Sequence, residues 1–105
     1  MKVIYNNVIP FKGFKAINIF GFCFIRSGCK MSEKDLNHER IHTAQMKEML
    51  YVGFYLWYFV EWIVKLFIYG KNSYRHISFE VEAYDNEDNP DYLKDRLVFG
   101  WWKHL

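Results

Sequence analysis

Residues 32–50 read SEKDLNHERIHTAQMKEML, and the fold is read outward from this stretch. It holds neither Gly nor Pro, opens on Ser32 and carries Asp35 three residues on, the N-cap and first-turn acid of a helix. Within it stand His38-Glu39-Arg40-Ile41-His42. Histidines four apart on a helix lie one above the other on one face, so both imidazoles can reach a single ion about 2.0–2.1 Å away. Glu39 follows the first histidine and falls beside such an ion, where a carboxylate takes a proton from an activated water instead of ligating.

Upstream, residues 14–26 read FKAINIFGFCFIR. This β-branched and aromatic run predicts one long strand, or two short ones bent at Gly21. Val3 to Pro10 is expected to pair with it as a shorter strand, so that residues 1–30 form a short sheet or hairpin. Downstream, the first helix is expected over 32–50, with Gly53 as the first interruption. Residues 50–69, LYVGFYLWYFVEWIVKLFIY, predict an aromatic helix in which Glu61 and Lys65, four apart, can pair. Gly70 to Ser73 carries a helix stop and restart. A helix over 78–87, capped by Ser73 or Ser78, and a fourth over 90–99, opened by Pro90, follow; residues 100–105 form a tail. The expected class is therefore α+β, a single domain over 1–105 with a short N-terminal sheet followed by about four helices.

Composition agrees with one small core. The chain has 105 residues, 51% apolar, 25% charged and 21% aromatic, with a net charge of +2. That is enough apolar surface to offset chain entropy, which excludes disorder as the main state. Cys23 and Cys29 have no partners at zinc-finger spacing and suggest no disulfide scaffold. The near-neutral balance gives no reason to expect a nucleic-acid partner. Basic residues crowd the first 32 positions and acids crowd 80–95, which predicts that the N-terminal piece packs near an acidic helix. No signal peptide is recognised at the N-terminus, so a cytoplasmic protein is expected. The apolar run at 50–69 is long enough to cross a membrane, yet its charges bring the insertion balance close to zero. It is read as a helix buried at the centre of an aromatic core, with membrane-surface association as the alternative.

A zinc site that keeps a position open for water needs a third protein ligand. The residues after His42 offer none, so it must come from the acids in Phe79-Glu80-Val81-Glu82-Ala83-Tyr84-Asp85. Glu80 and Glu82 differ by about 200° around a helix and cannot both face one ion. Ala83 shares the face of Glu80 and lets the two helices approach, which favours Glu80, with Glu82 as the alternative ligand.

HERIHTAQ followed some forty residues later by EVEAYD resembles the gluzincin metallopeptidases, and the small size makes the chain most similar to the minigluzincins, soluble minimal relatives of the M48 and M56 peptidases. The resemblance covers roughly residues 14–90 and rests on these two motifs. It implies a sheet whose edge strand flanks the cleft, His38, His42 and Glu80 as ligands of one zinc ion, and Glu39 as general base. The family pattern has an Asp directly after the Ala, where this chain has Tyr84, with Asp85 one position later.

The expected function is hydrolysis of a peptide or protein substrate, held extended against residues 16–26 by strand addition. A metal-dependent peptide-binding module without catalysis, or a membrane-docked regulatory module, is the alternative. Tyr74, Arg75, His76 and Tyr84 are candidates to stabilise the transition state, Asp85 is a candidate for outer support of the metal, and Gln45, one turn past His42, can hydrogen-bond near it. Phe99, Trp101 and Trp102 are candidates to fold back and block the cleft, making the chain latent.

Overall fold

Lys2–Asn6 (β1), Ala16–Ile19 (β2) and Phe22–Arg26 (β3) form a three-stranded sheet in the order β1-β3-β2, with β1 parallel and β2 antiparallel to β3. The structure is a computed structural model and describes residues 1–8 and 15–105. Phe14 and Pro10, at the ends of the two expected strands, lie outside them. The run divides at Gly21, because Ile19 pairs with Phe22 across a two-residue turn in which Phe20 and Gly21 both take positive φ, +51° and +87°. That twist suits a tight hairpin, and glycine accepts it without strain. Phe20 is held there from outside: its N–H donates to the Tyr55 hydroxyl at 2.9 Å, and its ring lies 5.1 Å from that of Tyr55.

The helices are Glu33–Glu48 (α1), Val52–Tyr69 (α2), Ser73–His76 (α3), Ser78–Asn86 (α4) and Tyr92–Asp95 (α5). With the sheet ahead of them they make an α+β chain. Ser32 caps α1 in a full capping box, its hydroxyl accepting from the Asp35 N–H at 3.1 Å and its own N–H donating to the Asp35 carboxylate at 3.2 Å. The interruption between α1 and α2 falls at residues 49–51, with Leu50 and Tyr51 at φ +54° and +60°. Gly53 lies inside α2 and breaks nothing.

Three further expectations are corrected. Neither Ser73 nor Ser78 caps the helix over 78–86; Glu61 of α2 does, accepting the Ser78 N–H and hydroxyl, each at 2.6 Å. Its predicted partner Lys65 stands 3.6 Å away. The expected helix over 90–99 is a single turn, because Arg96 turns extended at φ −65°, ψ 131° and sends its guanidinium between Glu48 and Glu82. Most important, α2 is not the buried centre. Its fully buried residues are Phe54 and Glu61, and most of its large side chains face outward. The core cluster is instead Met46, Phe54, Ile77, Phe79 and Trp101, with Phe54 stacked on Phe79 at 4.5 Å.

The tail contributes to that core. Trp101 packs edge-on against Phe79 at 4.7 Å and donates its indole N–H to Glu48 at 3.0 Å. The cleft described below has no lining residue from 97–105, so the expected blockade by Phe99, Trp101 and Trp102 is not what this structure holds. Among the described residues, Glu87 and Asp88 take Lys34 of α1, at 3.4 and 3.5 Å, and Lys15 takes Asp35, at 3.0 Å.

Candidate metal centre

The capping box starts α1 so that its buried face presents His38 and His42 to α4. Ala83, fully buried, lets the two helices close. Glu80 then points between the rings: its Oε1 lies 2.9 Å from His42 Nε2 and 3.3 Å from His38 Nε2, and the two Nε2 atoms are 3.1 Å apart. All three side chains are buried, and one ligating atom from each lies within 4.8 Å of the others. A His38, His42, Glu80 group of this kind could hold a metal ion.

What surrounds the three decides which atoms are offered. Gln45 donates its amide to the Phe79 carbonyl at 3.0 Å and to Glu82 at 2.9 Å, which turns its Oε1 toward His42 Nδ1, 2.8 Å away. An amide oxygen can only accept, so His42 carries a proton on Nδ1 and has Nε2 left for a metal. His38 is oriented the same way, its Nδ1–H donating to Glu87 at 2.6 Å. Two lone pairs and a carboxylate oxygen thus converge with no donor among them, and such a cluster calls for a cation.

Electrostatics says the same in another form. Burial pulls the His42 imidazole down, but the Glu80 carboxylate in contact with it, joined by Glu39 and Gln45, outweighs that and raises it to about 9. With no metal, a proton on His42 Nε2 serves as the cation. Burial would raise Glu80, and the two histidines hold it well below the usual carboxylate range. Glu39 is pushed upward by burial, with His42 and His38 pulling the other way.

The group forms the floor of a cleft of about 330 Å³. The edge strand β2 lines one side from Ala16 to Ile19, Glu39 stands beside the histidines, and Tyr58 and Tyr74 close the other side. Asn18 joins strand to helix, donating to the Glu39 carbonyl at 3.0 Å and the Thr43 hydroxyl at 2.9 Å.

The remaining sequence candidates fall in different places. Glu82 is fully buried one face away from Glu80, bound by Arg96 at 2.6 Å and Tyr92 at 2.6 Å, and touches the site only through Gln45. Tyr84 lays its ring edge against His38 at 4.5 Å, and its hydroxyl meets that of Tyr74 at 3.1 Å. Arg75 stacks on Tyr84, 3.7 Å from the ring. Asp85 is exposed. His76 is exposed, stacked on Tyr69 with ring centres 3.6 Å apart, and is not a lining residue of the cleft.

Three residues of the site escaped the sequence reading. Glu87 supports His38 from two turns beyond Glu80, a seven-residue spacing that returns to the same helical face and could have been noticed. Asn37 fixes that position, its amide reaching the carbonyls of Asn86, Glu87 and Asn89 at 3.3, 3.0 and 2.8 Å. Tyr58 donates to the second oxygen of Glu80 at 2.8 Å, and nothing in its largely apolar run marks it in advance.

Compared with protein-family models, curated proteins and solved structures, the chain has no significant match in any of the three. The case for this site is therefore its geometry.

Proposed function

We propose that this chain is a small zinc-dependent metallopeptidase of the gluzincin type. The observation that carries the reading is the meeting of two Nε2 lone pairs and the Glu80 carboxylate beside Glu39, in a cleft walled by an edge strand. Two imidazoles and a carboxylate are a donor set that suits zinc and leaves room for water. When bound, zinc supplies acidification of water and polarisation of a substrate carbonyl.

The residues of the chain do the rest. An extended substrate pairs with the open edge of β2, which presents its scissile bond to the floor of the cleft. Glu39 takes a proton from the attacking water and returns it to the departing amine nitrogen. Tyr74 lines the cleft, and with the Tyr84 hydroxyl donating to it, its own O–H is available to a developing oxyanion. Burial raises Tyr74 far above the ordinary phenol range, so it stays a donor at neutral pH.

Elemental analysis together with Glu39→Gln tests the proposal. The wild-type chain should bind about one zinc and cleave peptides, and the variant should keep the zinc and lose cleavage by about a hundredfold or more. Zinc-loaded wild type that binds peptides without cutting any of a broad library would make the chain a binding module instead.

A further inference from the structure

We propose that the outer face of α2 docks flat on an anionic phospholipid bilayer. Val52, Leu56, Phe59, Val60, Phe67 and Ile68 are each at least 60% exposed. At 100° per residue they fall within one half of the helix circumference, while Phe54, Tyr58, Glu61 and Lys65 fall in the other. The 18 residues of α2 extend this face over about 27 Å. Contiguous apolar surface of that length on a small chain marks an interaction site.

Two features select lipid as the occupant. The first is the absence of hydrogen-bonding side chains. The helix's two charged residues turn inward, Glu61 to Ser78 and Lys65 to the His76 carbonyl at 2.7 Å, and the Trp57 indole donates to Glu61 at 3.2 Å. The outer half therefore offers a partner only hydrocarbon. A protein interface of ordinary size carries about ten hydrogen bonds, which this face cannot supply, whereas the acyl boundary of a bilayer asks for none.

The second feature is charge. From Met49 to Phe79 the sole acid is Glu61, which is buried, while exposed Lys47 precedes the helix and exposed Lys71 follows it. Cations at the ends of an apolar face complement anionic headgroups, and the exposed acids Asp85, Asp88, Asp91 and Asp95 belong to a later part of the chain. Docking, as opposed to crossing, follows from what packs beside α2: a spanning orientation would carry His42, against Phe54, and Glu80, bonded to Tyr58, into the hydrocarbon, where charge is costly. The inner half of α2 supplies Tyr55 and Tyr58 to the cleft. Docking thus holds the metal group about one helix diameter, roughly 10 Å, above the lipid, within reach of segments emerging from the bilayer.

The test is flotation of the purified full chain with vesicles of phosphatidylcholine alone or with one-quarter phosphatidylserine, beside Phe67→Asp and Leu56→Asp. Both substituted positions are solvent-exposed, and circular dichroism checks their folding. Expected are co-flotation with the anionic vesicles, weaker binding to the neutral ones, release by alkaline carbonate, and at least about a tenfold loss of partitioning in each folded variant. The proposal is overturned if the wild type stays with the aqueous fraction at both compositions, or if a folded variant binds as well as wild type. Carbonate-resistant retention would overturn docking in favour of insertion. A wild-type dimer in the ultracentrifuge that ignores vesicles and dissociates on Phe67→Asp would assign the face to a second copy. None of these readouts depends on peptide cleavage, so they stand or fall apart from the peptidase proposal.

Discussion

At the scale of single residues, the two histidines were legible because four-residue spacing on a helix has one geometric meaning. Their partners were less so, since a hydrogen bond across 49 residues, as between His38 and Glu87, has no local signature. Tyr84 occupies the position where the resembled family has an Asp, and the supporting carboxylate comes one turn later. Glu87→Gln should therefore weaken zinc binding about 10- to 100-fold while leaving the fold intact, as measured by competition with a chromophoric chelator. Unchanged affinity would mean that Glu87 serves Lys34 and not the metal. The proton on His42 makes a second prediction. A histidine raised from 6.5 to about 9 on folding contributes stability that is fully present below pH 6.5 and fades as pH rises through 9. The melting temperature of metal-free protein should fall across that window, and zinc, which replaces the proton, should abolish the fall. Parallel curves with and without zinc would remove the ion from this group.

At the scale of elements, helix existence was readable wherever caps and breakers were local, as at Ser32 and Gly70. It failed where a distant side chain set the boundary. Glu61 reaches from the middle of α2 to the first N–H of α4, where a carboxylate also meets the positive end of the helix dipole. Arg96 is pulled out of the expected fourth helix by two carboxylates, Glu48 at 2.7 Å and Glu82 at 2.6 Å, a force that helix propensity does not contain. Glu61→Gln should cost about 1–3 kcal/mol, because an amide accepts through one oxygen only and cannot serve both buried donors of Ser78. The denaturant midpoint measures this. A neutral result would mean that Ser78 finds another acceptor. Because α4 carries Glu80, the same variant should also loosen metal binding.

At the scale of the whole molecule, the aromatic excess divides into two populations that composition cannot separate. One part, Phe54, Phe79 and Trp101, fills a small core; the other, along α2, stands outside it. Periodicity could not tell these apart, because α2 is apolar on both halves and only the packing of α3 and α4 against Glu61 and Lys65 picks the inner one. The C-terminal residues belong to the first population. Trp101 is 1% exposed, Glu48 accepts from its indole and from the Phe99 N–H, and Gly100 passes so near Glu82 that an added Cβ would collide with the carboxylate. Through Glu82 and Gln45 this end of the chain reaches His42. A chain ending at Val98 would lose a buried indole, a deletion that costs about 3–5 kcal/mol, a large share of the 5–15 kcal/mol that ordinarily separates folded from unfolded. Such truncation should broaden the unfolding transition or abolish it, and lower zinc affinity, in place of releasing a latent enzyme. Calorimetry of the shortened chain, beside Trp101→Phe as a milder variant that keeps the ring and loses the indole N–H, separates the outcomes. If the Val98 chain melts like wild type and cleaves peptides faster, the tail is an inhibitor held elsewhere than this structure places it; if it melts early and binds zinc weakly, the tail is the last piece of the core.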